Sequence, residues 1–534
     1  DMDPRPEQAQ RAGHHREAGD LAPAAVPGAH SPGRLLVPVL IIVVVAALDL
    51  TVIAPILPAV LVDLRVNTAE ADRYVWIVSG YLLAYTLTIP LMGRLSDIVG
   101  RRATFLAALG IFLAGSAACA AAHTLPAIIA ARVVQGFGGG AMVPVAMAVV
   151  GDLLPPARRA GALGVVAAAD TLGWVLGPLW GAAIEQLTGD WRWIFLLNLP
   201  IGLTAGAVLV VRWRDLPLGG RQHMALDLPG ALLLAVGLLG LSLGVSVGAE
   251  PMPGGGSRAL GAAPNPLAAY RLPLVVVGIV ALALLVVVER RARHPLIPLG
   301  IFRERLFAAA NGTNFLIGAA LMVAMVNVPL LTALLVEEDR VSLVSAELLG
   351  AFSLAMGIGA LAGGRVAERF GYVGVTLAGL LVAAAGFWRM SGWGNTLEMS
   401  RMGLDLAVTG VGVGLVIAPI AAAAINAARR SDLGIASGLV IVMRLLGMTL
   451  GISALTAWGV SRLNEALTSL PPVIQQPGES LADYLARQQQ VAVEQAIPAT
   501  IEVIRDTFGA AALICLLAIL PALFLSQRPR RERE

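Results

Sequence analysis

The sequence contains no lysine, so all 38 of its basic side chains are arginines. Charged residues of every kind make up only 14% of the 534 residues, whereas hydrophobic residues make up 57%. A water-soluble chain of this length needs much more charged surface. The composition therefore excludes a soluble globular protein and predicts a protein that crosses the membrane many times.

Cysteine is also scarce. Cys119 and Cys515 each lie inside an apolar run, which predicts small core side chains rather than a disulfide or a metal pair. The spacings typical of phosphate-binding loops, nucleophile elbows, zinc proteases and calcium loops are missing from the sequence. We therefore expect no enzyme activity, no metal site, no bound cofactor and no nucleic-acid partner. Any driven activity has to draw on an ion gradient.

Apolar runs long enough to span a membrane, about 20 residues each, recur along the chain. We count fourteen: 35–62, 74–93, 103–122, 125–151, 160–187, 191–211, 225–248, 272–290, 306–336, 346–369, 373–393, 402–428, 433–463 and 498–525. An even number places both termini on one side. Most arginines lie in the loops and tails of that side, which we call the arginine-rich side, so both termini are predicted to be cytoplasmic.

An internal repeat divides the chain. The stretch GRLSDIVGRR at 93–102 follows the second run, and GGRVAERFGYVG at 363–374 follows the tenth. We therefore predict an all-α membrane protein of fourteen transmembrane helices, arranged six, two and six. Its parts are a disordered cytoplasmic tail at 1–34, six-helix bundles at 35–212 and 300–525, two inserted linker helices at 213–299, and a basic cytoplasmic tail at 526–534.

The segment 464–497 separates the last two runs and is predicted to be an external helical hairpin. Prolines in LPPVIQQPG force a turn, and the residues after them have the spacing of an amphipathic helix that stops before Pro498. A passive cap is the alternative to a functional role, because loop length alone does not imply function.

The stretch at 93–102 lies between two long apolar runs and holds four charged residues. Its two glycines allow helix ends to approach a neighbour closely, and its aspartate is placed to meet a helix N-terminus or an arginine across a domain interface. An ordinary positively charged loop is the alternative, but it would not require the aspartate or both glycines. The candidate residues of this cytoplasmic latch are Gly93, Asp97, Gly100, Arg101 and Arg102.

Four charged residues lie inside apolar runs: Asp49, Arg132, Asp170 and Arg444. Charges at membrane depth are costly, so each needs a partner or a water-filled cavity and is a candidate for proton coupling. Asp49 is the obvious partner of Arg132. We expect Arg444 to pair with Asp170 or Asp49 in at least one state. A purely structural ion pair is the alternative reading.

The fifth run carries small residues every fourth position, which predicts close helix packing with a local bend at the proline. These candidates are Gly173, Gly177, Pro178 and Gly181. Other polar residues in apolar runs could line a substrate cavity or form hydrogen bonds between helices. They are Gln135, Asn311, Asn314 and Asn426.

These motifs, together with ALDLTVIAPILP, RVVQGFGGG, GWVLGPLWG and WRWIFLLNLPIG, resemble the fourteen-helix drug:proton antiporter branch of the major facilitator superfamily. The stretch GIASGLVIVMRLLGMTLGISALTAWG and the hairpin after it look like the mycobacterial triacylglyceride exporters and efflux pumps. This resemblance implies a bacterial inner-membrane protein, a proton-coupled cycle using Asp49, Asp170 and Arg444, a lipid-carrying lipoprotein as partner, and a monomer. The family's acidic residue in the fifth helix is a glutamate, whereas this chain has Asp170.

The sequence thus predicts a proton-driven exporter of triacylglyceride-like lipid. One alternative is a multidrug:proton antiporter for cationic amphiphiles, which would need a cavity carboxylate that no arginine neutralises. The other is a non-transporting membrane scaffold or receptor that docks a partner on the hairpin.

Overall fold

The computed structural model describes residues 32–65, 75–214, 227–246, 270–292, 295–394, 396–468 and 480–525. Every regular element in these ranges is a helix. The α-helices are α1 (Pro32–Thr51), α2 (Ile53–Asp63), α3 (Val75–Val99), α4 (Arg101–Ala120), α5 (Leu125–Gly139), α6 (Met142–Leu153), α7 (Pro156–Thr188), α8 (Arg192–Arg212), α9 (Leu228–Ser246), α10 (Arg271–Arg291), α11 (Arg305–Leu335), α12 (Glu338–Phe370), α13 (Tyr372–Met390), α14 (Met399–Ala427), α15 (Leu433–Thr468), α16 (Leu481–Leu517) and α17 (Ile519–Ala522). Most of the predicted first tail and all of the second lie outside the described residues.

The helices fit a membrane protein in length and hydropathy. Within the described ranges, eleven helices are long and apolar enough to cross a membrane, and α7 makes twelve if its two segments, Pro156–Trp174 and Leu179–Thr188, form one span bent by 49°. Two shorter apolar helices, Leu36–Thr51 and Pro229–Leu241, lie at the first and seventh predicted runs. The all-helical fold is confirmed, and the count of fourteen stays a prediction.

The internal repeat has a counterpart in backbone geometry. Gly100 separates α3 from α4 with φ of 104°, and Gly371 separates α12 from α13 with φ of 79°. Positive φ is strained for residues with a side chain, so glycine is needed at both junctions. A glycine with positive φ therefore separates the two helices that meet at the motif in each predicted half.

The inserted helices α9 and α10 form a hairpin that packs closely at glycines. A Cβ atom on Gly240 would lie 2.8 Å from the backbone nitrogen of Gly278 and from the carbonyl oxygen of Leu274. Helix α9 also contacts α3 of the first predicted half and α15 of the second. The hairpin therefore lies against both halves.

Helices α15 and α16 extend past the apolar segments that could span the membrane, Leu433–Gly451 and Ile497–Ala522. Residues 469–479, which connect them, lie outside the described residues. The structure corrects one boundary, because α16 runs through Pro498 instead of beginning there. A proline removes one backbone hydrogen bond, and a long helix anchored at both ends tolerates that loss.

Candidate functional site

Asp49 on α1 and Arg132 on α5 form a buried ion pair. Asp49 is 2% exposed and Arg132 is fully buried. Arg132 Nη1 donates to Asp49 Oδ2, and Arg132 Nη2 donates to the Asp49 backbone carbonyl at 3.1 Å. The guanidinium carbon also lies 4.0 Å from the centre of the Tyr81 ring on α3. The pair thus joins α1, α3 and α5 through charge that is costly to leave uncompensated.

Three neutral side chains complete this cluster. Asn198 donates to Asp49 Oδ1 at 3.1 Å, and Gln135 Oε1 accepts from Arg132 Nη1 at 2.8 Å. Gln135 Nε2 donates in turn to Ser116 Oγ at 2.7 Å. Each oxygen of the Asp49 carboxylate therefore has a donor, and the charged pair is satisfied without water.

A second charged site lies in a cavity of about 200 Å³ between the two predicted halves. Its wall is mainly apolar and is built from α7, α11, α12 and α15, with contributions from α1, α3 and α6. Asp170 on α7 and Arg444 on α15 are the charged residues in this wall. Within the described ranges, Arg444 has no carboxylate within 4.0 Å, and Asp170 Oδ1 has no hydrogen-bond partner. The two residues line the same cavity without direct contact.

Close helix packing fixes the backbone of Arg444. A Cβ atom on Gly318 would collide with the Arg444 carbonyl, and one on Gly447 would collide with the carbonyl of Phe315. Asn314 Nδ2 donates to the carbonyl of Val440, one turn before Arg444, at 2.6 Å. Small residues let α11 and α15 approach each other, so α11 holds the α15 backbone at Arg444 in place.

The glycines of α7 face the break between α1 and α2. Gly173 packs against Ala47, Gly177 against Thr51, and Gly181 against Val52. This is the smooth face that the four-residue spacing predicts.

A hydroxyl from α1 compensates for the proline in α7. Pro178 has no N–H to donate to the carbonyl of Trp174, four residues earlier. Thr51 Oγ1 donates to that carbonyl instead, at 3.0 Å. The bend of 49° in α7 lies between Trp174 and Leu179, and Thr51, Trp174 and Leu179 all line the cavity. The proline therefore shapes the cavity wall through a bond that a second helix completes.

On the arginine-rich side, the motif of the first half contacts the second half. A Cβ atom on Gly93 would lie 2.5 Å from the carbonyl oxygen of Gly434. Asp97 accepts hydrogen bonds from the backbone N–H groups of Gly434 at 2.8 Å and Ile435 at 2.9 Å. These groups lie in the first turn of α15, where N–H groups have no partner within the helix and the helix dipole favours an anion.

Arginines of the motif extend this interface in different directions. Arg101 is 1% exposed and contacts Asp97 at 2.5 Å and Asp152 at 3.1 Å, both in the first half. Arg102 donates to the carbonyl of Val210 at 3.1 Å and so binds within the first half. Of the five latch candidates, Gly93 and Asp97 contact the second half, and the Arg101 guanidinium also lies beside Gly434 while its ion pairs stay within the first half. Arg102 bonds within its own half, and Gly100 shapes the turn.

The repeated motif makes the reciprocal contact. Glu368 of the second half accepts from the backbone N–H of Gly161 at 2.8 Å, and a Cβ atom on Gly364 would collide with the carbonyl of Ala160. Each half thus places a carboxylate and a glycine against the start of a helix of the other half. We call these contacts, together with those of Asp97 and Gly93, the arginine-side interface.

The four polar candidates for the cavity wall lie elsewhere. Gln135 belongs to the Asp49 cluster, Asn314 bonds to α15, and Asn311 Nδ2 donates to the carbonyl of Phe307 in its own helix at 3.0 Å. Asn426 accepts from Arg159 at 2.7 Å at the arginine-side interface. None of the four belongs to the described wall of this cavity, and a role of these residues in substrate binding stays a prediction.

Several residues of the two sites were not singled out from the sequence. Asn198 and Ser116 complete the Asp49 cluster, Thr51 supports the bend, and Tyr81 and Tyr85 lie between the two sites. The spacing of the tyrosines, four residues apart on α3, is the one available signal, since it places both rings on one helix face.

The comparisons with known proteins agree with the fold and the motifs. Residues 39–452 match the sequence profile of the Major Facilitator Superfamily. The chain is 35% identical over 510 residues to a triacylglyceride transporter of Mycolicibacterium hassiacum, with 92% of this chain and 91% of that protein aligned. It is 36% identical over 513 residues to a triacylglyceride transporter of Mycobacterium tuberculosis, with 92% of this chain and 94% of that protein aligned.

Solved structures share the fold at low sequence identity. The human organic anion transporter MFSD10 (TETRAN) superposes with a TM-score of 0.57 at 19% identity, covering 92% of this chain and 100% of that one. The fucose:proton symporter FucP of E. coli superposes with a TM-score of 0.56 at 13% identity, covering 93% and 99%. With the profile match and the two relatives, these findings identify a membrane transporter and not an enzyme: the chain belongs to the Major Facilitator Superfamily.

Proposed function

We propose that this transporter exports a neutral, triacylglyceride-like lipid from the membrane toward the outer side by proton-coupled alternating access. The observation that carries the proposal is the cavity between the halves. Its mainly apolar wall holds one carboxylate, Asp170, and one guanidinium, Arg444, which are not in direct contact. The names of the relatives, which align over 92% of this chain, support the choice of cargo.

The charge of the cavity favours a neutral cargo. Binding sites select cargo through apolar walls and a few polar groups. Among the described wall residues, one negative and one positive group leave no net charge to attract a cation. An exporter of cationic amphiphiles would be better served by an unpaired Asp49, but Asp49 is buried against Arg132. The arrangement therefore supports the lipid exporter over the multidrug antiporter.

The cavity edge supports entry from the bilayer. Leu179 of α7 is 55% exposed, and Ala346 of α12 is exposed, yet both line the cavity. The cavity therefore reaches the protein flank between these two helices. Its volume of about 200 Å³ is below the ~300–1,000 Å³ typical of ligand pockets. We propose that the ester groups of the lipid enter the cavity while the acyl chains remain in the bilayer.

Proton coupling follows from the separated charges. In the proposed cycle, an ionised Asp170 attracts Arg444 and draws α7 and α15 together. Protonation of Asp170 removes this attraction and lets the two helices separate. Asp49 and Arg132 form the second charge pair of the cycle, since protonation of Asp49 would release Arg132. The energy source is the proton gradient, with no bound cofactor.

The arginine-side interface defines the proposed state. Gly93, Asp97 and their repeat partners hold the arginine-rich ends of the halves together, while the cavity lies farther along the same helices. With the arginine-rich side in the cytoplasm, this is an outward-facing state with the cytoplasmic latch engaged. Opening the interface would give the inward-facing state of alternating access.

Delivery on the outer side is assigned to the extended ends of α15 and α16. They continue beyond the apolar segments, which supports a hairpin that projects from the membrane. We propose that a lipid-carrying lipoprotein receives cargo there and that the transporter works as a monomer. Deletion of 464–497 should abolish transfer to such an acceptor while cargo movement between leaflets persists.

The test is triacylglyceride movement in proteoliposomes under an imposed pH gradient. Wild type should move a fluorescent triacylglyceride in a gradient-dependent manner, and Asp49→Asn should remove that dependence. The matched control is Asp405→Asn. Asp405 is also fully buried and paired, with Arg389 at 2.6 Å, but it lies outside the cavity wall. The control should lower stability while folded protein keeps gradient-dependent transfer.

Other outcomes separate the alternatives. Movement of a cationic dye without lipid transfer would establish a multidrug antiporter instead. Lipid transfer at the same rate with and without the gradient would refute proton coupling. Movement of neither cargo by intact protein would favour the scaffold.

A further inference from the structure

Two charge sites lie on either side of a pair of tyrosines. Asp49 and Arg132 are in the buried cluster, and Asp170 and Arg444 are in the cavity wall. Tyr85 lines the cavity together with Asp170 and Arg444. Among the described residues, no salt bridge links Asp49 or Arg132 to Asp170 or Arg444.

The rings of α3 connect the two sites by direct contact. The Arg132 guanidinium lies 4.0 Å from the centre of the Tyr81 ring, close enough for a cation–π interaction. The Tyr81 and Tyr85 ring centres are 6.0 Å apart with 25° between their planes, an offset-stacked geometry. Tyr81 Oη donates to the Ala46 carbonyl on α1 at 3.3 Å. A movement of Arg132 therefore bears on Tyr81 first and on Tyr85 next.

The glycines of α5 leave the rings little freedom. A Cβ atom on Gly139 would lie 2.8 Å from Tyr81 Oη and 3.6 Å from a ring carbon of Tyr85. A Cβ atom on Gly140 would collide with the carbonyl of Tyr85. Both tyrosines are nearly fully buried. Since packed interiors rearrange between discrete arrangements rather than deform continuously, the two rings have to move together.

The hydroxyl of Tyr85 ends this path at the cavity. Within the described ranges no hydrogen bond to Tyr85 Oη is formed by another side chain, and Tyr85, Asp170 and Arg444 line the same cavity. At the other end of the path, the Arg132 guanidinium packs on the Tyr81 ring. A phenol can donate to a carboxylate or accept from a guanidinium, so it can follow either cavity charge.

We propose that Tyr85 is the positioning residue that couples the Asp49–Arg132 pair to Asp170 and Arg444. When Asp49 loses its charge, Arg132 shifts on the Tyr81 ring, the stacked Tyr85 ring follows, and its hydroxyl changes its interaction with the cavity charges. This inference rests on the proposed function for its role in transport. The coupling itself can be measured without transport.

The coupling test is cysteine labelling in the cavity. Ser353 lines the cavity and is 5% exposed, so Ser353→Cys reports cavity opening. Both cysteines of the chain are buried and contribute little background. In detergent-solubilised full-length protein, Asp49→Asn should change the maleimide labelling rate of this cysteine at least about fivefold. In a Tyr85→Phe background, the same substitution should leave the rate unchanged within about twofold.

Tyr85→Phe retains the ring, so a loss of coupling would implicate the hydroxyl rather than core packing. Tyr270→Phe is the matched control, since Tyr270 is 60% exposed and lies outside the cavity wall. If Asp49→Asn still changes the labelling rate at least about fivefold in the Tyr85→Phe background, the proposal is overturned. Failure of Asp49→Asn to alter labelling in any background overturns it as well.

Transport then separates this inference from the proposed function. Tyr85→Phe should reduce the ratio of lipid transfer with and without a pH gradient at least about fivefold, with no further reduction when Asp49→Asn is added. If labelling responds as expected but the rate of lipid transfer by wild type does not depend on the pH gradient, the coupling through Tyr85 is supported and the proposed proton-driven function is refuted.

Discussion

Replacing Arg132 with methionine should destabilise the transporter strongly, and a second substitution should repair much of the damage. Arg132→Met leaves Asp49 at 2% exposure without its counter-charge, while Asn198 still donates to it. Breaking a buried pair by removing one partner costs about 3–5 kcal/mol. Since 1 kcal/mol shifts Tm by about 2 °C in large domains, we expect a fall in Tm of roughly 6–10 °C.

The double variant removes both charges. Asp49→Asn with Arg132→Met leaves no uncompensated ion, so it should be less destabilised than either single variant. The coupling energy of this double-mutant cycle should be about 2–3 kcal/mol in favour of the native pair. The Arg132→Met variant alone should also regain stability at lower pH, because a protonated Asp49 needs no counter-charge.

The assay is thermal unfolding in detergent, followed by tryptophan fluorescence, for wild type, both single variants and the double variant. Additive losses of Tm would show that the two side chains contribute independently. A loss below about 1 kcal/mol for Arg132→Met would show that the pair is solvated, as exposed pairs are, and would refute the reasoning.

Three further substitutions test separate parts of the structure. Thr51→Val should destabilise by about 1 kcal/mol in thermal unfolding, because it leaves the α7 carbonyl at the proline bend without a donor, and Thr51→Ser should retain wild-type stability. Asp97→Asn should loosen the arginine-side interface by about 1.5–3 kcal/mol. Faster maleimide labelling of the buried Ala160→Cys would report that change, whereas an unchanged rate would remove Asp97 from the latch. Arg192 donates to Asp63 and holds the pKa of Asp63 below its ordinary value of 3.8. The stabilisation is therefore complete well above pH 3.8 and is lost as pH falls through the lower pKa of the folded state. Asp63→Asn should lower the free energy of unfolding by less than about 1 kcal/mol at pH 7 and should leave it unchanged in strong acid.

Helix positions and the main charge pair could be predicted from the sequence. The helices follow from local apolar patterns, and the pair follows from the free-energy cost of leaving charges unpaired at membrane depth. Apolar runs predict helices, and a carboxylate and a guanidinium at membrane depth need partners. The Asp97 motif predicted a contact with a helix N-terminus, and Asp97 meets the start of α15. These inferences need no knowledge of how distant helices pack.

The remaining features depend on packing between distant helices. Thr51 matters because α1 lies beside the carbonyl that Pro178 leaves free, and Asn198 matters because α8 brings it to Asp49. The asparagines considered for the cavity bond to neighbouring helices or, for Asn311, to its own helix, since polarity does not specify which helix face meets the cavity. Pro498 was read as a helix boundary, but the helix continues through it.

The most direct test of the account is the response of lipid transfer to the sign of the proton gradient. Proteoliposomes with one orientation of the transporter should accumulate triacylglyceride in the direction opposite to proton flow, and reversing the gradient should reverse the accumulation. Asp170→Asn should eliminate this reversal while downhill exchange continues. Accumulation that does not depend on the sign of the gradient, or a reversal that persists in Asp170→Asn, would contradict proton-coupled export through this cavity.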